Sequence, residues 1–197
     1  MTAATGIPVL AFASAKAWRQ WLAKHHKTSD GIWLRLFKTT SAKSSVTKSS
    51  VSYAEALDAA LCYGWIDGQI KRHDAQSWLR KFTPRRARSI WSKKNLAHVA
   101  RLTKAGQMKA AGLKAVAAAK ADGRLRVAYD APSRSAVPKD FLAALSRNAK
   151  AKAFFATLNR ANVYAITFRL QTAKKPETRA KRMKAILQML GRGETFH

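Results

Sequence analysis

The sequence predicts an α+β fold, with a small antiparallel sheet packed with helices in the N-terminal half and an all-α bundle in the C-terminal half. Strand-like alternation is confined to the first 83 residues, apolar residues recur at helical spacing elsewhere, and 47% apolar residues suffice for a core. We expect a mixed α/β part over 10–123 and a helical part over 135–192, which could form one continuous domain. We expect residues 1–9 and 39–51 to be flexible.

The predicted sheet contains three strands. IWLRLF at 32–37 alternates between two faces, and two further strands, 65–74 and 77–83, follow each other across a short turn. A first helix begins after Ser14, a suitable N-cap. A second begins at the capping box SYAE, 52–55. These helices would cover one face of the sheet.

From Trp91 onward the apolar pattern is helical. Two alanine-rich helices lead up to Gly106 and Gly123, and residues 124–137 read as a linker. Later helices begin near residues suited to the start of a helix, namely Pro138, Asn148 and Pro176, with a further helix over 160–173. This part is therefore predicted to be a small helical bundle.

The charge of the chain restricts its partners. Lys and Arg number 38 against 10 Asp and Glu, a formal net charge of +28. A field of this sign attracts nucleic acid or other polyanions, acidic proteins and anionic envelope components. A proteome rich in Lys and Arg would give the same bias, so charge alone does not choose among these interpretations. Oligomeric state is not predicted.

Cysteine and histidine usage points to no metal site. The single cysteine, Cys62, excludes an intrachain disulfide and is expected to be a small buried side chain. No histidine has a metal-ligand spacing, so we expect no metal and no cofactor. No apolar run is long enough to span a bilayer, and the N-terminus lacks the basic start of a signal peptide. We therefore expect a cytoplasmic protein.

Residues 81–95, KFTPRRARSIWSKKN, hold six basic side chains and no acidic one. Arginine forks bind phosphate in bidentate fashion, and an exposed tryptophan can stack on a base. The stretch therefore predicts an anion-binding site, formed by Arg85, Arg86, Arg88, Ser92 and Asn95.

A structural interpretation of the same stretch stays open. Trp91 would pack inside the protein, and Arg85 or Arg86 would pair with Asp67. Asp67 belongs to GWIDG, 64–68, which includes Trp65 and reads as a turn that presents the carboxylate. We predict no catalytic residue, although a pocket near Asp67 would be the place for one.

Six stretches, in order along the chain, resemble one bacterial family. They are FAS with two following tryptophans (12–21), SDGIWLR (29–35), YAEALDAALCYGWIDGQ (53–69), FTPRRARSIWSKKN (82–95), AKADGR (119–124) and TAKKPETRAKR (172–182). The chain resembles the YdeI/OmpD-associated family, whose members are labelled bacteriocin-protection or stress-resistance proteins. The resemblance implies no established reaction.

The resemblance, the charge and the candidate residues lead to three candidate functions. The resemblance implies a non-enzymatic stress or bacteriocin-resistance protein that acts by binding, and the charge of +28 makes an anionic partner the natural one. The second is a nucleic-acid-binding protein that uses the basic region 71–94. The third is an enzyme with a pocket near Asp67, Arg85 and Arg86.

Overall fold

The computed structural model describes residues 6–38 and 50–197. Most of the two segments predicted to be flexible, residues 1–5 and 39–49, therefore lies outside the described residues. Val51, at the end of the predicted loop, is only 1% exposed and joins the apolar core beside the sheet. The predicted α+β class is confirmed, with a sheet in the N-terminal half and helices dominating the C-terminal half.

The chain divides into two units. The first comprises Met1–Ser89 and Ala97–Ala118, and the second comprises Ile90–Leu96 and Ala119–His197. The elements in chain order are β1 (Val9–Leu10), α1 (Ala15–His25), β2 (Ile32–Phe37), α2 (Tyr53–Cys62), β3 (Trp65–Arg72), β4 (Ser77–Pro84), α3 (Lys93–Lys104), α4 (Ala110–Ala121), α5 (Lys139–Leu145), α6 (Ala149–Phe155), α7 (Arg160–Gln171) and α8 (Pro176–Gly191).

The sheet of the first unit has the strand order β1-β2-β4-β3. The three predicted strands are present as β2, β3 and β4, and they pair antiparallel. The sequence did not predict β1, which pairs parallel with β2 and has only two residues. Two residues are too few to show an alternating pattern.

One face of the sheet packs against α1 and α2. Alternation along β2 places Ile32, Leu34 and Leu36 on this face, all 2% exposed or less. They join Trp18 of α1 and Phe82 of β4 in one apolar cluster with α2. Both predicted caps form: the Ser14 hydroxyl accepts from the Ala17 amide, and the capping box at Ser52 is complete.

A close helix contact holds α4 against the end of α2. A Cβ on Gly112 would lie 2.8 Å from the carbonyl oxygen of Leu61 and closer still to that of Cys62. The Lys109 amide also donates to the Cys62 carbonyl, at 3.1 Å. Only glycine allows this approach of helix to backbone.

The second unit contains the helical bundle. Phe141, Leu145, Ile166, Leu170 and Ile186 form the centre of its apolar cluster, and each is at most 3% exposed. The helices begin where the sequence predicted. The Asn148 side chain caps α6, Asn159 caps α7, and Pro176 occupies the first turn of α8.

Candidate anion-binding site

Asp67 lies within β3, not on a turn, and its partner is Arg80 rather than Arg85 or Arg86. Both predictions about this residue were therefore wrong. The Asp67 Oδ2 atom accepts hydrogen bonds from Arg80 Nε at 3.1 Å, from Arg80 Nη2 and from the Tyr53 hydroxyl at 2.7 Å. The reason is the strand pairing: Asp67 faces Phe82, two residues from Arg80 on the adjacent strand, so both side chains point to the same face.

This network makes Asp67 a structural residue. The Asp67 side chain is 10% exposed and that of Arg80 is 17% exposed, so the ion pair is largely buried. Burial raises the pKa of Tyr53 to about 12, and the hydrogen bond to Asp67 and its negative charge add to the effect, against the opposing influence of Arg80. The Asp67 Oδ2 atom is thus engaged by both a phenol and a guanidinium.

The two tryptophans of the predicted site are core residues. Trp65 is fully buried, and its indole Nε1 donates to the His26 carbonyl at 3.1 Å. Trp91 is 2% exposed, which agrees with the structural interpretation that it packs inside the protein and contradicts a tryptophan open to base stacking. The expectation for Cys62 is confirmed: the thiol is buried, and burial raises its pKa.

The three predicted arginines follow β4 in the first unit. Arg85 is half-buried, whereas Arg86 and Arg88 are exposed. Arg86 begins a tight turn in which its amide donates to Ser89 Oγ at 3.0 Å and the Ser89 amide returns to the Arg86 carbonyl at 2.9 Å. The turn therefore presents Arg86 and Arg88 to solvent from a defined backbone.

Ser92 and Asn95 belong to the second unit and are 9% and 7% exposed. The Ser92 hydroxyl accepts from the Asn95 amide at 3.1 Å, which is the capping role that the sequence allows at this position. Within their own unit these two residues serve the start of α3. The predicted set is thus divided, with three arginines in one unit and two buried polar residues in the other.

Sequence reasoning missed a cluster on the sheet face opposite α1 and α2. We call it the Trp33 face, formed by Trp33, Arg35, Lys71, Leu79 and Lys81. The Lys71 and Lys81 ammonium nitrogens lie 4.6 and 5.8 Å from the centroid of the Trp33 ring. Trp33 itself is 9% exposed, so its ring holds the two ammonium groups and offers little surface for stacking.

Most carboxylates of the chain already form ion pairs. All ten acidic residues lie in the described part, and seven of them form ion pairs with Lys or Arg: Asp58, Asp67, Asp74, Asp122, Asp130, Asp140 and Glu194. Within residues 6–38 and 50–197, the cations of the first unit that have no such ion pair include Lys71, Arg72, Lys81, Arg86 and Arg88. Their charge is left for solvent ions or for a partner.

The sequence also matches a family model. A model described as a domain of unknown function, DUF8412, matches residues 10–115, more than half of the chain. The chain belongs to the DUF8412 family. Every residue of the predicted site lies within the DUF8412 segment, as does the Trp33 face.

A second family model matches the C-terminal part of this DUF8412 protein. The model described as bacteriocin-protection, YdeI or OmpD-associated matches residues 134–193. The family resemblance is confirmed by this match, which covers the helices α5 to α8. No curated protein and no solved structure matched the chain.

The described residues of the DUF8412 protein lack two features. None of their helices is both long and apolar enough to cross a membrane. Likewise, within 6–38 and 50–197, no three His, Cys, Asp or Glu side chains come together as metal ligands would.

Proposed function

We propose that this chain is a non-enzymatic resistance protein that acts by binding an anionic partner, and that the partner is nucleic acid. The bacteriocin-protection match at 134–193 supports the biological setting. The charge of +28 supports an anionic partner, because like charges repel and a cationic bacteriocin would be disfavoured as a direct ligand.

The Trp33 face is the observation that carries the proposal. Two ammonium groups are held over one indole ring, on adjacent strands of a rigid sheet. Cation–π contact orients each lysine, while the two like charges repel each other. A phosphate between them would relieve this repulsion and gain two charge-assisted hydrogen bonds.

The end of β3 and the loop after β4 add further cations to the first unit. Arg72 ends β3, and Arg86 and Arg88 follow β4 on the tight turn. All three side chains are exposed, and an arginine fork matches phosphate geometry. Exposed cations without base-reading groups suit the backbone of nucleic acid, so we expect binding with little sequence preference.

Fluorescence anisotropy with labelled generic duplex DNA tests the proposal. Purified, nuclease-treated protein is titrated at several salt concentrations from about 50 to 200 mM, a range over which six or more phosphate contacts lose about 10³ in affinity. The variant with Lys71, Lys81, Arg86 and Arg88 changed to Ala should lower the slope of log K against log salt by roughly 3.6, at about 0.9 for each of four lost contacts.

The matched control removes four exposed lysines from helices: Lys24, Lys114, Lys120 and Lys181. It has the same net charge as the test variant and should keep most of the wild-type slope. Equal losses in both variants would overturn the assignment to this surface. Absence of binding by the wild type at 50 mM salt would overturn nucleic acid as the partner.

A further inference from the structure

A cleft in the second unit has a different character from the basic surface of the first. Its volume is about 460 Å³, within the range of small-molecule sites. It lies between α7 and α8, and the C-terminal tail closes one side. Its lining includes Phe168, Arg169, Thr172, Arg182, Ile186 and Phe196.

Two guanidinium groups in this cleft have hydrogen bonds but no counter-charge. Arg182 Nη1 donates to the Arg169 carbonyl at 2.7 Å and to Thr172 Oγ1 at 3.3 Å, while Arg169 Nη1 donates to the Ala165 carbonyl at 3.2 Å. Both side chains are half-buried, and none of the described residues that line the cleft carries a carboxylate side chain. Among the described residues neither arginine forms an ion pair.

The hydrogen bonds within the described chain use only Nη1 of each arginine. A guanidinium has five N–H donors, so Nε and Nη2 of both residues remain for an acceptor in the cleft. Half-buried positive groups are costly unless they are paired, and an anion supplies both the charge and the acceptors.

The walls of the cleft are apolar and aromatic. The Phe196 ring centroid lies 3.7 Å from Arg169 Cζ, and Ile186 is 3% exposed. Phe196 is held in place by the buried Asn162, whose Oδ1 accepts from the amides of Phe196 and His197 at 3.2 and 3.1 Å. The tail therefore forms an anchored wall of the cleft.

We propose that this cleft binds a small amphipathic anion, in which one carboxylate or phosphate group is attached to an aromatic or planar apolar body. The acid group meets Arg169 and Arg182, and the apolar body packs between Phe168 and Phe196. The proposal is independent of nucleic-acid binding, since it uses other residues in the other unit.

Isothermal titration calorimetry with three probes tests the pairing of acid and apolar groups. Phenyl phosphate carries both, inorganic phosphate only the anion, and benzyl alcohol only the ring. At about 150 mM salt, which screens general attraction beyond roughly 8 Å, phenyl phosphate should bind at least tenfold more tightly than either of the others. If inorganic phosphate bound as tightly as phenyl phosphate, charge attraction alone would explain the binding, and the proposal would be overturned.

Variants then locate the site. Arg182→Gln should weaken phenyl phosphate at least tenfold, whereas Lys181→Gln, the same charge change one residue earlier on α8, should alter it less than twofold. Because Arg182 also bonds to the Arg169 carbonyl, thermal unfolding must show that the variant is folded. Arg169→Lys gives a second test, since it keeps the charge and removes the fork. Unchanged binding in folded Arg182→Gln and Arg169→Lys would overturn the proposal.

Discussion

The Tyr53 hydroxyl donates a hydrogen bond of 2.7 Å to Asp67 Oδ2, which joins the first residue of α2 to the third residue of β3. Arg80 of β4 donates to the same oxygen, at 3.1 Å from Nε. One carboxylate thus connects a helix and two strands on the face that packs against α1 and α2. A buried pair of this kind sets geometry, because desolvation offsets much of its attraction.

The titration of Tyr53 reports this network directly. Its pKa is raised from 10.0 to about 12, first by burial and then by Asp67. The difference between the ultraviolet absorbance titrations of the wild type and Tyr53→Phe should therefore show a midpoint near 12. Asp67→Asn removes the negative charge and should bring the midpoint down. A Tyr53 midpoint near 10 in the wild type would contradict the combined effect of burial and of Asp67 on this phenol.

The same shift makes the stability of the fold sensitive to alkali. A raised pKa in the folded state means that the neutral phenol is favoured there, so this contribution is intact below pH 10 and is lost as the pH rises toward 12. Urea unfolding across this window should show a steeper loss of stability in the wild type than in Tyr53→Phe, which has no phenol to ionise.

For Asp58 we predict the opposite effect of pH on the stability of the fold, in the acid range. Burial alone would raise its pKa, but hydrogen bonds from Arg101 and His98 outweigh burial and hold it below the ordinary value of 3.8. A depressed folded pKa stabilises the protein above the unfolded pKa, and the contribution disappears as the pH falls through the folded pKa. Asp58→Asn should lower the free energy of unfolding at pH 7 by about 1 kcal/mol, a value discounted because Arg101 is largely exposed.

Urea unfolding of the wild type and of Asp58→Asn at pH 7 and near pH 2 measures this difference. The gap between the two proteins should close at the acid end. A gap that stays constant from pH 7 to the acid end would show that ionisation of Asp58 is not its source.

At Gly112 we expect alanine to destabilise the protein, although alanine usually stabilises a helix relative to glycine. Alanine is normally about 1 kcal/mol better than glycine inside a helix, yet here its Cβ would lie 2.8 Å from the Leu61 carbonyl oxygen. Gly112→Ala should lower the free energy of unfolding by about 2 kcal/mol, since α4 must move away from α2. Gly191→Ala in α8 is the matched control, because its Cβ meets only Asn148 Nδ2 at 3.7 Å. Chemical denaturation of both variants compares them.

Substitutions of Trp33 test whether the positions of Lys71 and Lys81, as well as their charges, matter for binding to DNA. Trp33→Leu leaves every lysine in place but removes the ring that orients Lys71 and Lys81. Affinity for labelled duplex DNA at constant salt should fall about three- to tenfold, corresponding to one or two contacts of the cation–π type. Trp33→Phe keeps an aromatic face and should bind nearly as the wild type does. Equal affinity in folded Trp33→Leu would show that the ring has no part in binding.

The helices and three of the four strands could be predicted from sequence because their signals are local. The caps Ser14 and Asn148 and the first-turn residue Pro176 act within one turn, and the alternation in IWLRLF is complete within six residues. The two-residue β1 could not be predicted, because its pairing with Trp33 and Leu34 lies in another part of the chain.

The sequence by itself determined the fold class, the net charge of +28 and the burial of Cys62. Only the tertiary structure decided which side chains meet. Arg80 rather than Arg85 or Arg86 holds Asp67, and Lys71 joins Lys81 over Trp33, because strand register sets these neighbours and register is a long-range property. The cleft of Arg169 and Arg182 likewise depends on how α7, α8 and the tail pack, which no local pattern encodes.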